Sequence, residues 1–142
     1  MMRLAALLLL ITAAGPIFSA PPLEFIDAWS PEAPPGRMMA GYVEIRNPTD
    51  RDIVLTAARS PRFERVEIHT MTMTDGVMRM RRLETLTIPA NGHKTLQQGG
   101  HHLMLIGPGA PVTAGDLLPI ELTDETGRTY EFMSEVRPRG FD

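Results

Sequence analysis

Thirteen prolines and twelve glycines punctuate this 142-residue chain too often for long helices. After residue 20 the sequence falls into short apolar or alternating runs at 23–29, 41–46, 53–58, 63–71, 77–81, 83–88, 93–96, 101–106, 117–122 and 129–136. Turn chemistry separates them, including Asn47-Pro48, Ser60-Pro61, Asp75-Gly76, Asn91-Gly92 and Gly107-Pro108-Gly109. No run sustains a 3.6-residue period. Short strands at this spacing, with Asp-Gly as a two-residue hairpin signal, predict an all-β fold: an antiparallel sandwich or a small barrel. About 120 residues is enough for one such domain with its own core.

The first twenty residues read differently. Arg3 precedes an unbroken apolar run from Leu4 to Ile11, Gly15 and Pro16 end it, and Ser19-Ala20 offers a small residue for cleavage. This is the layout of a secretory signal peptide, and the run falls short of the about 20 residues a transmembrane helix needs. Phe18 and Pro21 are poor neighbours for a signal peptidase, so a retained N-terminal membrane anchor is the alternative. A leader or anchor over 1–20 and a single exported domain over 21–142 are therefore expected.

Composition narrows the function. There is no cysteine, which excludes disulfides, thiolate nucleophiles, Cys-ligated zinc and iron–sulfur clusters. The net charge is −3, from 14 Lys and Arg against 17 Asp and Glu, so no basic footprint exists and nucleic acid is not an expected partner. No defensible Ser-His-Asp order, Gly-rich phosphate loop or isolated carboxylate pair is present, and an enzyme is not expected. Methionine is what the chain has in surplus, with ten against one tryptophan.

Strand alternation groups these methionines with histidines. In 63–73 one face carries Phe63, Arg65, Glu67, His69, Met71 and Met73, and the other Val66 and Ile68. Met78 and Met80 share a face in the next run, as do His102 and Met104 in 101–106, opposite Leu103 and Leu105. The Asp75-Gly76 turn brings the first two strands side by side. Methionine commonly fills cores, but Val66, Ile68, Leu103 and Leu105 already give their strands a core face. Thioether sulfur is soft and suits Cu(I), and imidazole strengthens a copper site. The residues leave two readings open: a copper-binding carrier, or a metal-free adhesion or assembly module with a sticky Met-rich face. A blue-copper electron-transfer site lacks its Cys thiolate.

The spacing His69, ten residues, Met80, twenty-one residues, His102, one residue, Met104 resembles the H-x10-M-x21-H-x-M signature of the PCu(A)C family. Glu67-Ile68-His69-Thr70-Met71, Asp75 to Arg81, Ile88 to Gly92, Gly99 to Leu105 and Ala40-Gly41-Tyr42-Val43 resemble the family's blocks, so the similarity runs over most of 23–138. The resemblance implies a cupredoxin-like antiparallel β-sandwich in the periplasm, with one Cu(I) on His69, Met80, His102 and Met104; Met71, beside His69, is a second-rank candidate to replace or supplement one of these ligands. It also implies delivery of copper towards the CuA centre of cytochrome c oxidase, to its copper subunit directly or through a thiol-bearing copper chaperone; a monomer is expected. Some members carry a His- and Met-rich tail for a Cu(II). This chain ends on Arg139-Gly140-Phe141-Asp142 without that pattern.

The remaining candidates have blander expectations. His101 points opposite His102 and is expected to be satisfied or solvent-facing. His93 follows a turn and should be a surface residue. Met38 and Met39 should be structural, Met133 should be core, and Trp29 should pack. Arg79, Arg81 and Arg82 form a small basic cluster, a solvated face or a docking rim for an acidic partner.

Overall fold

The computed structural model describes Gly15 and residues 22–140. Apart from Gly15, the expected leader lies outside the described residues. Every run anticipated above is a strand: β1 (Glu24–Pro31), β2 (Met39–Asn47), β3 (Ile53–Arg59), β4 (Phe63–Thr74), β5 (Val77–Arg82), β6 (Leu86–Ile88), β7 (Gly92–Leu96), β8 (His102–Pro108), β9 (Leu117–Asp124) and β10 (Thr129–Arg137). β6 is shorter than its run, and β4 is longer. β4 and β5 stay paired up to Thr74 opposite Val77 because Asp75 and Gly76 both adopt positive φ, 51° and 76°. That turn's twist matches the twist of the flanking strands, so nothing splays them apart.

The strands form one path, β5-β4-β8-β2-β1-β10-β9-β3-β6, with β7 on β2. Ala58 opposite Val66 joins β3 back to β4, closing the path into a barrel-like sandwich. The pairing is antiparallel except between β1 and β10, where Trp29 lies parallel to Glu135. These two strands come from opposite ends of the described chain. No hairpin links them, so no local turn sets their direction.

Alternation fills the interior. Leu103 and Leu105 of β8, Val66 and Ile68 of β4, Val43 and Ile45 of β2 and Leu118, Ile120 and Leu122 of β9 all enter one core. β10 contributes Tyr130 and Val136 on the same side as the buried Ser134. Met133 therefore points outward between Glu131 and Glu135 and is 58% exposed, not core as its type suggested. Phe63 is also corrected: it is buried in the core rather than standing on the outer face of β4. It is the first residue of the strand, and its N–H still bonds the Ser60 carbonyl at 3.2 Å. At the end of the strand, where the chain turns in from Ser60, burial of the apolar ring sets its side.

Polar staples hold the loops to this core. Asn47, 1% exposed, donates its amide to the Arg51 and Ile88 carbonyls at 2.7 and 3.0 Å and accepts from the Thr49 hydroxyl at 2.6 Å. Asp124 accepts from the Thr126 and Arg128 N–H groups and from the Tyr130 hydroxyl at 2.7 Å. Trp29 packs as expected, against Tyr42 with centroids 5.1 Å apart, and the Arg137 guanidinium lies 5.3 Å from its ring.

Candidate metal centre

The sheet register sets the positions of the His and Met side chains. β4 and β8 pair so that His69 lies opposite His102 and Glu67 opposite Met104. β4 and β5 pair so that His69 lies opposite Arg82 and Met71 opposite Met80. Directly opposed residues project to the same side. His69, Met71, Met80, His102 and Met104 thus share one face of β5-β4-β8, with Glu67 and Arg82 beside them. The reverse face is the core, where Val66, Ile68, Leu103 and Leu105 lie.

Burial is uneven across this face. His102 and Met104 are buried, and Met104 does so without joining the main core cluster. His69 and Met71 are half-buried, while Met80 on the outer strand is 46% exposed. The site thus runs from a sheltered end on β8 to an open end on β5.

The two imidazoles are 5.8 Å apart between centroids and tilted 51°. His69 Nε2 lies 2.7 Å from Glu67 Oε2, and His102 Nδ1 lies 3.0 Å from the Gly100 carbonyl oxygen. A carboxylate and a carbonyl only accept, so each of these nitrogens carries the hydrogen and donates it. The lone pair of a neutral ring is then left on Nδ1 of His69 and on Nε2 of His102. His69 Nδ1 is buried and has no hydrogen-bond partner among the described residues. The bond from His69 holds the Glu67 carboxyl below its usual range against the opposing effect of burial, with help from Arg82 and Arg65. Outer partners of this kind orient metal-binding imidazoles and fix their tautomer.

Among the described residues, no group of three or more His, Asp or Glu side chains comes together as a metal-ligating cluster. A cation on this face would have to draw on thioethers as well as imidazoles, which favours a soft ion over zinc, calcium or magnesium.

The other candidates separate from the face. His93 is exposed on β7 opposite Arg46. His101 is half-buried, its Nδ1 is buried without a partner among the described residues, and burial, with Lys94 and His102 nearby, lowers its pKa. Met39 is in the core, as expected, while Met38 is exposed. The basic cluster is split by the strand: Arg79 and Arg81 lie opposite Thr72 and Thr70, and Arg82 lies opposite His69. The roles of Glu67 and of the Gly100 carbonyl were missed in the sequence. Glu67 was legible as a same-face neighbour of His69, but its hydrogen bond was not.

Residues 23–136 match the LpqE-like family, described as "Putative lipoprotein LpqE-like". The chain belongs to this PCuAC-type family. A curated relative from Leifsonia xyli subsp. xyli, "Putative lipoprotein Lxx21020", is 27% identical over 119 residues, 83% of this chain and 71% of the relative. Among solved structures, the Cu(I) form of DR1885 from Deinococcus radiodurans is 34% identical, with a TM-score of 0.63 over 78% of this chain and 74% of that one. The apo PCuAC domain from PmoF1 has a TM-score of 0.69 over 85% of this chain and 98% of that one, and at 18% identity the likeness is one of fold. The cupredoxin-like β-sandwich expected of a PCuAC-type chain is thus the fold observed.

Proposed function

We propose that this protein is an exported copper carrier that holds one tight Cu(I) on His69, Met80, His102 and Met104 and passes it on. The observation that carries this reading is the facing pair His69 and His102. Each imidazole spends one nitrogen on an acceptor and keeps a lone pair on the other, on a face shared with Met80 and Met104. The copper named in the Deinococcus radiodurans structure, at 34% identity, supports the same cargo. Met71, directly opposite Met80, would supplement or replace it as a ligand.

The donor chemistry suits holding and release. All four donors are neutral, so the loaded site carries only the ion's own charge beside the nearby Glu67 carboxylate and Arg82 guanidinium. Thioethers bind Cu(I) without competing protons. They hold it less tightly than thiolates would, so a thiolate-bearing acceptor draws the ion downhill. The CuA centre of cytochrome c oxidase, reached directly or through a thiol-bearing chaperone in the periplasm, is the recipient we propose. Residues 1–20 would act as the export leader or as a retained membrane anchor.

An anaerobic Cu(I) titration against a chromophoric competitor tests the site. One tight equivalent is expected, and it should be lost in the His102→Ala, Met104→Ala double variant. No competition by the parent chain would overturn the reading and leave the His/Met face as a surface for a protein partner.

A further inference from the structure

The β4–β5 arm runs on past the rest of the sheet. β4 pairs with β8 only as far as His69 opposite His102, whereas β4 and β5 remain paired for five more positions, to Thr74 opposite Val77. One face of this extension carries Met71 opposite Met80 and Met73 opposite Met78. The other carries Thr70, Thr72 and Thr74 opposite Arg81, Arg79 and Val77. Four of the chain's ten methionines therefore share one side of a short two-stranded arm.

Packing does not account for Met73, Met78 or Met80. Met73 is 68% and Met78 47% exposed, and β5 ends the strand path, so no described strand lies beyond it. An exposed apolar side chain gains little from burial, and β-branched residues would serve a two-stranded arm better. Methionine differs from those residues in having a sulfur lone pair that binds soft cations. Opposed residues hold their Cβ atoms about 4.5–5.5 Å apart. Three rotatable bonds let the thioethers close the remaining gap around one ion.

We propose that Met71, Met73 and Met78 form a second, all-thioether Cu(I) site at the tip of the arm, weaker than the His69–His102 centre. The site is open to solvent and offers three neutral soft donors. Met71 faces Met80 of the inner centre across the two strands, so the sites adjoin through this pair and Met71 can serve either. A cation captured at the tip thus has an unbroken row of sulfur donors leading to the imidazoles. The tip site stands on the Met cluster alone and does not require the inner centre to exist.

The test is a titration of the purified chain with Ag(I), a soft d10 cation without redox chemistry, followed through the methionine methyl signals by NMR. Two equivalents are expected, and the weaker should shift Met71, Met73 and Met78. In Met73→Leu, Met78→Leu, which changes only exposed side chains, the second equivalent should vanish while the first is kept. In His69→Ala, His102→Ala the tip should still take one equivalent. A parent chain whose Met73 and Met78 methyls never move, or a Leu variant that still takes two equivalents, would overturn the proposal. A single equivalent confined to the tip methyls would uphold this site and overturn the inner one.

Discussion

His69 and His102 face each other across β4 and β8 with ring centroids 5.8 Å apart, and each is turned by an acceptor two residues before it in the chain. For His69 the acceptor is the Glu67 carboxylate, and for His102 it is the Gly100 carbonyl. The same i−2 device on two adjacent strands leaves opposite ring nitrogens available, Nδ1 on one ring and Nε2 on the other. Replacing either imidazole with alanine removes a donor from the proposed Cu(I) site. The loss should be at least the upper end of what outer-sphere changes cause, about 100-fold in affinity. Competition titrations of His69→Ala and His102→Ala read this directly, and unchanged affinity in either would remove that residue from the site.

Glu67 acts through His69. With Glu67→Ala the ring loses the acceptor that sets its tautomer and orientation, and Cu(I) affinity should fall by about 10–100-fold. Glu67→Gln keeps an oxygen that can accept from Nε2–H and should lose less. The order Glu, Gln, Ala in affinity, measured by the same competition, distinguishes orientation from mere charge. Equal losses in both variants would show that the carboxylate's charge is what matters.

The strands were legible because their turns are local. Asp75-Gly76 takes positive φ at both positions and Asn91 at the one before Gly92, turn chemistry readable in two letters, and alternation then assigns the faces of β4, β5 and β8. The parallel contact of β1 with β10 and the closure of β3 onto β4 join segments far apart in sequence, where no turn residue records the pairing. Met133 was misjudged because its type outweighed its position between Glu131 and Glu135, whereas position governs a strand. The His/Met face came through because each pair sits two residues apart. The polar partners that orient the rings did not, since a hydrogen bond leaves no periodic mark.

Tyr130 and Asp124 make a stability device away from the His/Met face, joined at 2.7 Å in the interior. Burial would raise the Asp124 carboxyl, but bonds from Thr126, Tyr130 and Arg128 outweigh it and hold the group below its usual value. Its contribution is therefore present above about pH 4 and is lost as the pH falls through the folded value. Burial and then Asp124 push the Tyr130 hydroxyl up to about 12. Its contribution is present below about pH 10 and disappears as the pH rises through the folded value. Tyr130→Phe should cost about 1.5–3 kcal/mol at neutral pH, the worth of a hydrogen bond to a charged group. Denaturation across the pH range should show the gap between parent and variant narrowing in acid, where Asp124 is protonated. A gap independent of pH would argue against the coupling.

Met104 offers the cleanest separation of folding from binding. It is buried beside His102 yet stands apart from the main core cluster, on the side of the sheet that carries both imidazoles. Leucine has nearly its volume, and such exchanges usually cost under about 1.5 kcal/mol. Met104→Leu should therefore fold with a melting temperature close to the parent's while losing a sulfur donor and much of its tight Cu(I) affinity. Met133→Leu is the control: on the outer face of β10 it should change neither stability nor copper affinity. Calorimetry and Cu(I) competition on the two variants separate the roles. If Met104→Leu binds as tightly as the parent, its sulfur is packing, and the ligand set must be drawn from His69, His102, Met80 and Met71.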